Sequence, residues 1–158
     1  MAVMIRSLNA LFALACLALG APTHAAEADE RSEVLGAVQR LFDALAARDQ
    51  AAIQSTVLPE GRITSHVVRD GQVAVRTGSW EEWTQRIMSA TRRLEERMFD
   101  PEVRIRGSLA TVWTEYDFHI DGALSHCGMN LVDLARVDGR WRILNVSFTV
   151  ETEGCPRR

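Results

Sequence analysis

The sequence predicts an α+β fold in which helices come first and a long antiparallel sheet, curled around them, comes after. Three observations predict it. Apolar residues recur at helical spacing from Val34 to Leu45, and again from Trp80. The last third of the chain alternates apolar and polar residues over runs much longer than the usual strand of about 5–6 residues, and strands of that length bend a sheet. Asp121-Gly122 and Asp138-Gly139 interrupt those runs, and Asp-Gly between alternating segments is a strong hairpin signal. Helices grouped before the strands, rather than alternating with them, make the class α+β.

Residues 1–25 read as a cleaved signal peptide. Arg6 supplies the charge, Leu8 to Leu19 the apolar segment, and Thr23-His24-Ala25 the small-residue cleavage site. The apolar run falls short of the ~20 residues that span a bilayer, so no stable membrane anchor is expected. The expected location is outside the cytoplasm, periplasmic or secreted. Residues 26–158 are then a single domain with one core.

Val34, Val38, Leu41, Phe42 and Leu45 form one face of a helix over residues 29–48, with Asp29, Glu30 and Glu33 favourably placed in its first turn. Gln50 to Val57 reads as a shorter helix, and Pro59-Glu60-Gly61 as a turn. Arg62–Val68 and Gln72–Arg76 read as strands joined at Asp70-Gly71. Ser79 and Glu82 form a capping box that starts a third helix, predicted to run from Trp80 to about Leu94 and to bury Trp80, Trp83 and Ile87. Glu95-Glu96-Arg97 reads as a solvated connector. The meander is predicted as Glu102–Arg106, Leu109–Ile120, Ala123–Val137 and Arg140–Glu151.

Every basic residue is arginine, which removes lysine chemistry such as a Schiff base. Without residues 1–25 the charge is 17 Arg against 21 Asp and Glu, so nucleic acid is not an expected partner. No phosphate loop, nucleophile triad or metal-ligand spacing is present, and no cofactor or metal is expected.

The order of elements resembles the nuclear transport factor 2-like superfamily, which includes ketosteroid isomerase and scytalone dehydratase. Three stretches carry the resemblance: Val38 to Val57; Ala110 to Phe118 leading into Asp121-Gly and Ser125-His-Cys-Gly; and Asp138-Gly-Arg-Trp-Arg-Ile. It is similar in particular to the exported members described as putative lumazine-binding. The resemblance implies a cone-shaped curled sheet wrapped on N-terminal helices, with a pocket at one end that holds a small molecule. It does not imply a reaction, because this fold carries both enzymes and binding modules. Ketosteroid isomerase's donor set cannot be carried over, since Tyr116 is the only tyrosine.

A two-residue turn at Asp138-Gly139 puts His126, Gly128, Asn130, Val132 and Leu134 on one face with Trp141, Ile143, Asn145, Ser147 and Thr149. That face is apolar near the turn and polar far from it, as a cone with a polar mouth would be. Leu144, Val146 and Phe148 then share the outer face with Met129 and Leu131, a surface suited to a homodimer. The reverse assignment, with the apolar face as core, is also open. At Asp121-Gly122 a two-residue turn sets Asp117 opposite His126, a carboxylate–imidazole pair suited to isomerase or dehydratase chemistry. A three-residue turn sets Tyr116 there instead, with Val112 and Phe118, a wall suited to holding a ligand. The catalytic candidates are therefore His126, Asp117 and Tyr116. The ligand-binding candidates are Tyr116, His126, Asn130, Trp141, Asn145 and, on the third helix, Trp83.

Export leaves Cys127 and Cys155, for which two states are open. Cys127 sits opposite about Val150, and Gly154 allows the tail to fold back and bring Cys155 within disulfide reach. Alternatively Cys127 is a buried thiol and Cys155 is free.

Overall fold

The computed structural model describes residues 24–69 and 72–156. Most of the segment expected to be a signal peptide, and the expected turn at Asp70-Gly71, lie outside the described residues. Three helices, α1 (His24–Ala47), α2 (Gln50–Thr56) and α3 (Trp80–Ser89), accompany six strands. These are β1 (Arg62–Arg69), β2 (Gln72–Ser79), β3 (Leu94–Arg106), β4 (Leu109–Ile120), β5 (Ala123–Val137) and β6 (Arg140–Val150). They form one sheet in the order β2-β1-β6-β5-β4-β3, antiparallel except for the parallel β1–β6 pair. The expected α+β class holds, and the sheet curls without closing.

The core lies between the concave face of the sheet and α1. Val34, Val38, Leu41, Phe42 and Leu45 are buried against Val112, Val132, Leu134 and Ile143. Asp49 caps α2 by accepting from the Ala52 amide, and the predicted Ser79–Glu82 capping box starts α3. Helix α3 ends five residues before the predicted Leu94, because the chain extends from Ala90 into β3. Its buried side chains are Trp80, Thr84 and Ile87, while Trp83 is half-buried and faces inward.

The largest departure from expectation is β3. Glu95-Glu96-Arg97 is no connector but the first half of a thirteen-residue edge strand. Asp100-Pro101 interrupts the pattern that would have revealed it. The register shifts between Phe99 and Glu102, with Asp100 at φ 49°. A proline is tolerated there because it stands at a bulge on an edge strand, where its missing N–H leaves no ladder partner unsatisfied.

Two further bulges set the sides of the sheet. Both Asp-Gly hairpins have two-residue turns, pairing Ile120 with Ala123 and Val137 with Arg140; this is as expected at Asp138-Gly139, and at Asp121-Gly122 it is one of the two alternatives. Beyond the first, Phe118 pairs with His126 and His119 with Leu124, so Ser125 is the extra residue. Beyond the second, Leu134 pairs with Ile143 and Asp133 with Asn145, so Leu144 is extra. One inserted residue exchanges the two faces of a strand. Val146, Phe148 and Val150 therefore turn inward, and Asn145, Ser147 and Thr149 turn outward, the reverse of the expectation.

The Leu144 bulge is held on two sides. Its carbonyl accepts from Trp80 Nε1 at 2.9 Å, and a Cβ at Gly61 would overlap that same carbonyl. At the other end of the sheet, Glu151 extends the ladder to Cys127 by mutual backbone hydrogen bonds of 2.9 Å. A disulfide joins Cys127 to Cys155 with the Cα atoms 5.7 Å apart, tying the tail to β5.

Gly61→Ala is expected to destabilise the fold by about 1–3 kcal/mol, because the methyl group forces backbone apart at the bulge. Urea unfolding with an unchanged m-value reads this directly. Wild-type stability in the variant would mean that the bulge does not depend on the contact.

Candidate functional site

A cavity of about 800 Å³ opens between the concave face of the sheet, α1 and α3. Its floor is apolar, from Leu41, Phe42 and Leu45 of α1 and Val132 and Val146 of the sheet. Three residues stand in a row across the adjacent strands β3, β4 and β5: Glu96, Phe118 and His126. At the usual interstrand spacing the outer two are about 10 Å apart at Cα, so they face a shared space and do not bond to each other. The Phe118 ring stacks on the His126 imidazole, with centroids 4.9 Å apart and planes at 20°.

Glu96 is the chemical centre of the cavity. It is half-buried and lines the hollow. Asn130 Nδ2 donates to Glu96 Oε1 at 2.8 Å, the one bond described for this carboxyl. Burial pushes its pKa up to about 7; the Asn130 bond opposes that rise, and the Asp117 charge adds to it. At neutral pH Glu96 is therefore divided between a form that only accepts and a form that also donates.

Tyr116 and His126 also line the cavity. The Tyr116 hydroxyl passes over Gly128, its partner on β5, and donates to the Thr149 carbonyl at 2.6 Å. Burial, then the charges of Glu96 and Glu151, raise its pKa, so the phenol stays protonated and committed to the backbone. His126 touches Ser125 Oγ through Nδ1 at 3.2 Å, and burial lowers its pKa, which favours the neutral imidazole.

Of the residues singled out from sequence, Tyr116, His126, Asn130 and Trp83 stand together around the cavity. Asp117, Trp141 and Asn145 do not. Asp117 lies on the outer face opposite Cys127, where Arg97 Nε and Nη2 donate to its two oxygens at 2.8 and 2.6 Å. Burial alone would raise its pKa, but bonds from Arg97 and His119 outweigh burial and hold it low. Asn145 is used structurally, accepting from the Arg62 amide at 2.9 Å. Trp141 is buried beyond the cavity floor, with Arg136 over its ring. Sequence reading missed Glu96, Phe148 and Arg76, the first because its strand reads as charged linker and the second because of the Leu144 bulge. Among the described residues no group of His, Cys, Asp or Glu is arranged to hold a metal ion.

The family model described as "Putative lumazine-binding" matches residues 29–149. No curated protein matches the chain. Among solved structures, it is similar to a nuclear transport factor 2-like protein from Cytophaga hutchinsonii, with 17% identity, 77% of this chain and 98% of that one covered, and a TM-score of 0.64. It is also similar to the beta subunit of a putative aromatic-ring-hydroxylating dioxygenase from Novosphingobium aromaticivorans (11% identity, 82% and 94% covered, TM-score 0.66). A third is a putative dehydratase of the same fold family from Streptomyces avermitilis (16% identity, 78% and 97% covered, TM-score 0.62). At these identities the likeness is one of fold.

Glu96 sets a pH dependence of stability whose sign follows from its raised pKa. The folded state holds the proton more tightly than the unfolded chain, so stability falls as pH rises from about 4.5 to about 7 and then levels. Glu96→Gln keeps the Asn130 bond and removes the charge. It is expected to gain stability over wild type by on the order of 2 kcal/mol at pH 8 relative to pH 4.5. Denaturant unfolding of both proteins across that range checks it; parallel curves would place the Glu96 pKa in the ordinary range.

Proposed function

We propose that this chain, which belongs to the family described as putative lumazine-binding, is a small-molecule-binding domain whose ligand occupies the conical cavity. The observation that carries the reading is a carboxyl, Glu96 bonded by the Asn130 amide, set inside a hollow of about 800 Å³ whose floor is apolar. A large apolar pocket with a few convergent polar groups and a perturbed titratable residue is the usual form of a ligand site. The apolar wall supplies affinity by burial, and Glu96 with Asn130 supplies orientation through a hydroxyl or N–H of the ligand. Export of the domain after loss of residues 1–25 belongs to the same reading and rests on the sequence; pairing of two copies through the outer sheet face loses its basis, because Val146 and Phe148 line the cavity.

The titration range of Glu96 favours a second reading, proton transfer of the isomerase or dehydratase kind. Glu96 would take or give the proton and neutral His126 would steady the opposite side of the substrate, since a base near pH 7 is suited to such work. Asp117 takes no part with His126, because it lies on the outer face opposite Cys127. Incubating simple enones and β-hydroxy ketones with the protein in D2O tests this. Glu96-dependent deuterium uptake next to the carbonyl supports turnover, and uptake unchanged in Glu96→Gln removes it.

Binding has its own reporter, because Trp83 lines the cavity. Titration with flat apolar ring compounds is expected to quench tryptophan emission in wild type. Trp83→Phe should lose most of the change, and Ser65→Trp, which places an indole into the hollow from β1, should weaken binding about tenfold or more. Quenching that is indifferent to both substitutions would move the ligand elsewhere.

A further inference from the structure

The cavity has opposite electrical character at its two ends, and this polarity bears on which molecules fit it. With the cavity taken as the ligand site proposed above, it also sets which end of the ligand points outward. At depth the charged group is Glu96, beside apolar walls. An anionic group pushed to that depth would meet a partly ionised carboxyl with no cation beside it.

The rim differs. Arg76 on β2 and Arg86 on α3 both line the cavity, and both are exposed, so they mark its mouth from two separate elements. Arg76 pairs in register with Ser65, another lining residue, which places it on the cavity face of the sheet edge. Arg86 reaches towards that same edge, with Nη2 3.7 Å from the position a Cβ would take on Gly78.

Glu82 lines the mouth as well. Its carboxylate accepts from the Ser79 amide at 2.8 Å and caps α3. Hydrogen bonds from Ser79, and then the Arg86 charge, hold it ionised. It offsets one guanidinium, and no ion pair joins Arg76 to any described carboxylate. The mouth thus keeps a net positive charge, while the hollow behind it holds the Glu96 carboxyl and an apolar floor.

We propose that the cavity takes an amphipathic organic anion, with an apolar body inside and a carboxylate, sulfonate or phosphate held at the mouth by Arg76 and Arg86. Guanidinium groups present paired N–H donors that match the two oxygens of such a group. The ligand enters body first, because the reverse orientation sets its charge against Glu96 and leaves both arginines in water. The mouth contacts are exposed and so weaken with salt, whereas burial of the body does not.

Two dyes with closely related apolar bodies test this: 1-anilinonaphthalene-8-sulfonate and uncharged N-phenyl-1-naphthylamine, titrated by fluorescence at low salt. The variants are Arg76→Gln/Arg86→Gln and Ser65→Trp, with thermal unfolding as the check on folding. The double arginine variant is expected to bind the sulfonate about tenfold more weakly and the uncharged dye within about twofold of wild type. Equal losses for both dyes, or no loss for either, would overturn the proposal. If Ser65→Trp excludes both dyes while the arginine variant discriminates neither, the cavity stands as a binding site and the anion preference falls. If Ser65→Trp displaces neither dye, the cavity reading itself fails.

Discussion

The extra residue at Leu144 is the constraint on which the site depends. A strand presents alternate residues to its two faces, so a single insertion reverses everything beyond it. Ahead of the bulge, Trp141 and Ile143 are buried in the core; beyond it, Val146, Phe148 and Val150 line the hollow. Without the insertion Asn145, Ser147 and Thr149 would point inward, and the cavity wall would be polar. The bulge persists because its carbonyl is satisfied by the Trp80 indole and because glycine at position 61 leaves room for it. The first turn of α3, the start of β1 and the middle of β6 thereby meet at one carbonyl, which seats a helix on the sheet and sets which residues a ligand meets.

The other two bulges act in the same way. At Asp100-Pro101 the extra residue turns Leu94, Glu96 and Met98 inward and leaves Arg97 outside. Arg97 there meets Asp117 and His119, with His119 Nε2 3.3 Å from Asp117 Oδ1. A carboxylate that is nearly buried is tolerable only with such partners. The sheet therefore carries two carboxyls with opposite fates. Asp117, bonded by a guanidinium on the convex face, is held ionised. Glu96, bonded by a neutral amide on the concave face, is held near its midpoint.

This explains what could be read from the sequence and what could not. The α1 stripe, the Ser79–Glu82 cap and the two Asp-Gly turns are local signals, and each was legible because neighbours in sequence decide it. Strands β4 and β5 have the predicted bounds for that reason. A bulge is decided by distant partners: the contact that stabilises Leu144 comes from Trp80 and Gly61, far away in the chain. Tyr116 and Phe118 face the cavity as the three-residue-turn alternative required, yet they do so through a two-residue turn and an insertion at Ser125. The Glu95-Glu96-Arg97 run defeats pattern reading more completely. Its alternation is charged on both faces, so hydrophobic periodicity carries no signal, and the strand is visible only once β4 is beside it. The expected apolar outer surface goes the same way, since Val146 and Phe148 turn inward and Met129 and Leu131 share the convex side with Asn145 and Ser147.

The hollow itself runs against the tendency of interiors to close-pack. A space of about 800 Å³ forgoes dispersion contacts that side chains filling it would make. Glu96 adds a desolvation cost that a glutamine or leucine would avoid. Neither feature aids folding, and both need the surrounding shell to be over-determined. That shell is present: Tyr116 is bonded across Gly128 to β6, the disulfide holds the tail to β5, and the Trp80 indole holds α3 to the bulge. Rigid walls around a costly, partly charged void are what a site needs to bind a ligand without first reorganising, since preorganisation removes the ordering cost that binding would otherwise carry. The same rigidity fits proton transfer, which requires the carboxyl to be held before the substrate arrives. What separates binding from turnover is then the ligand's own chemistry next to Glu96, because the protein offers the same positioned carboxyl to either.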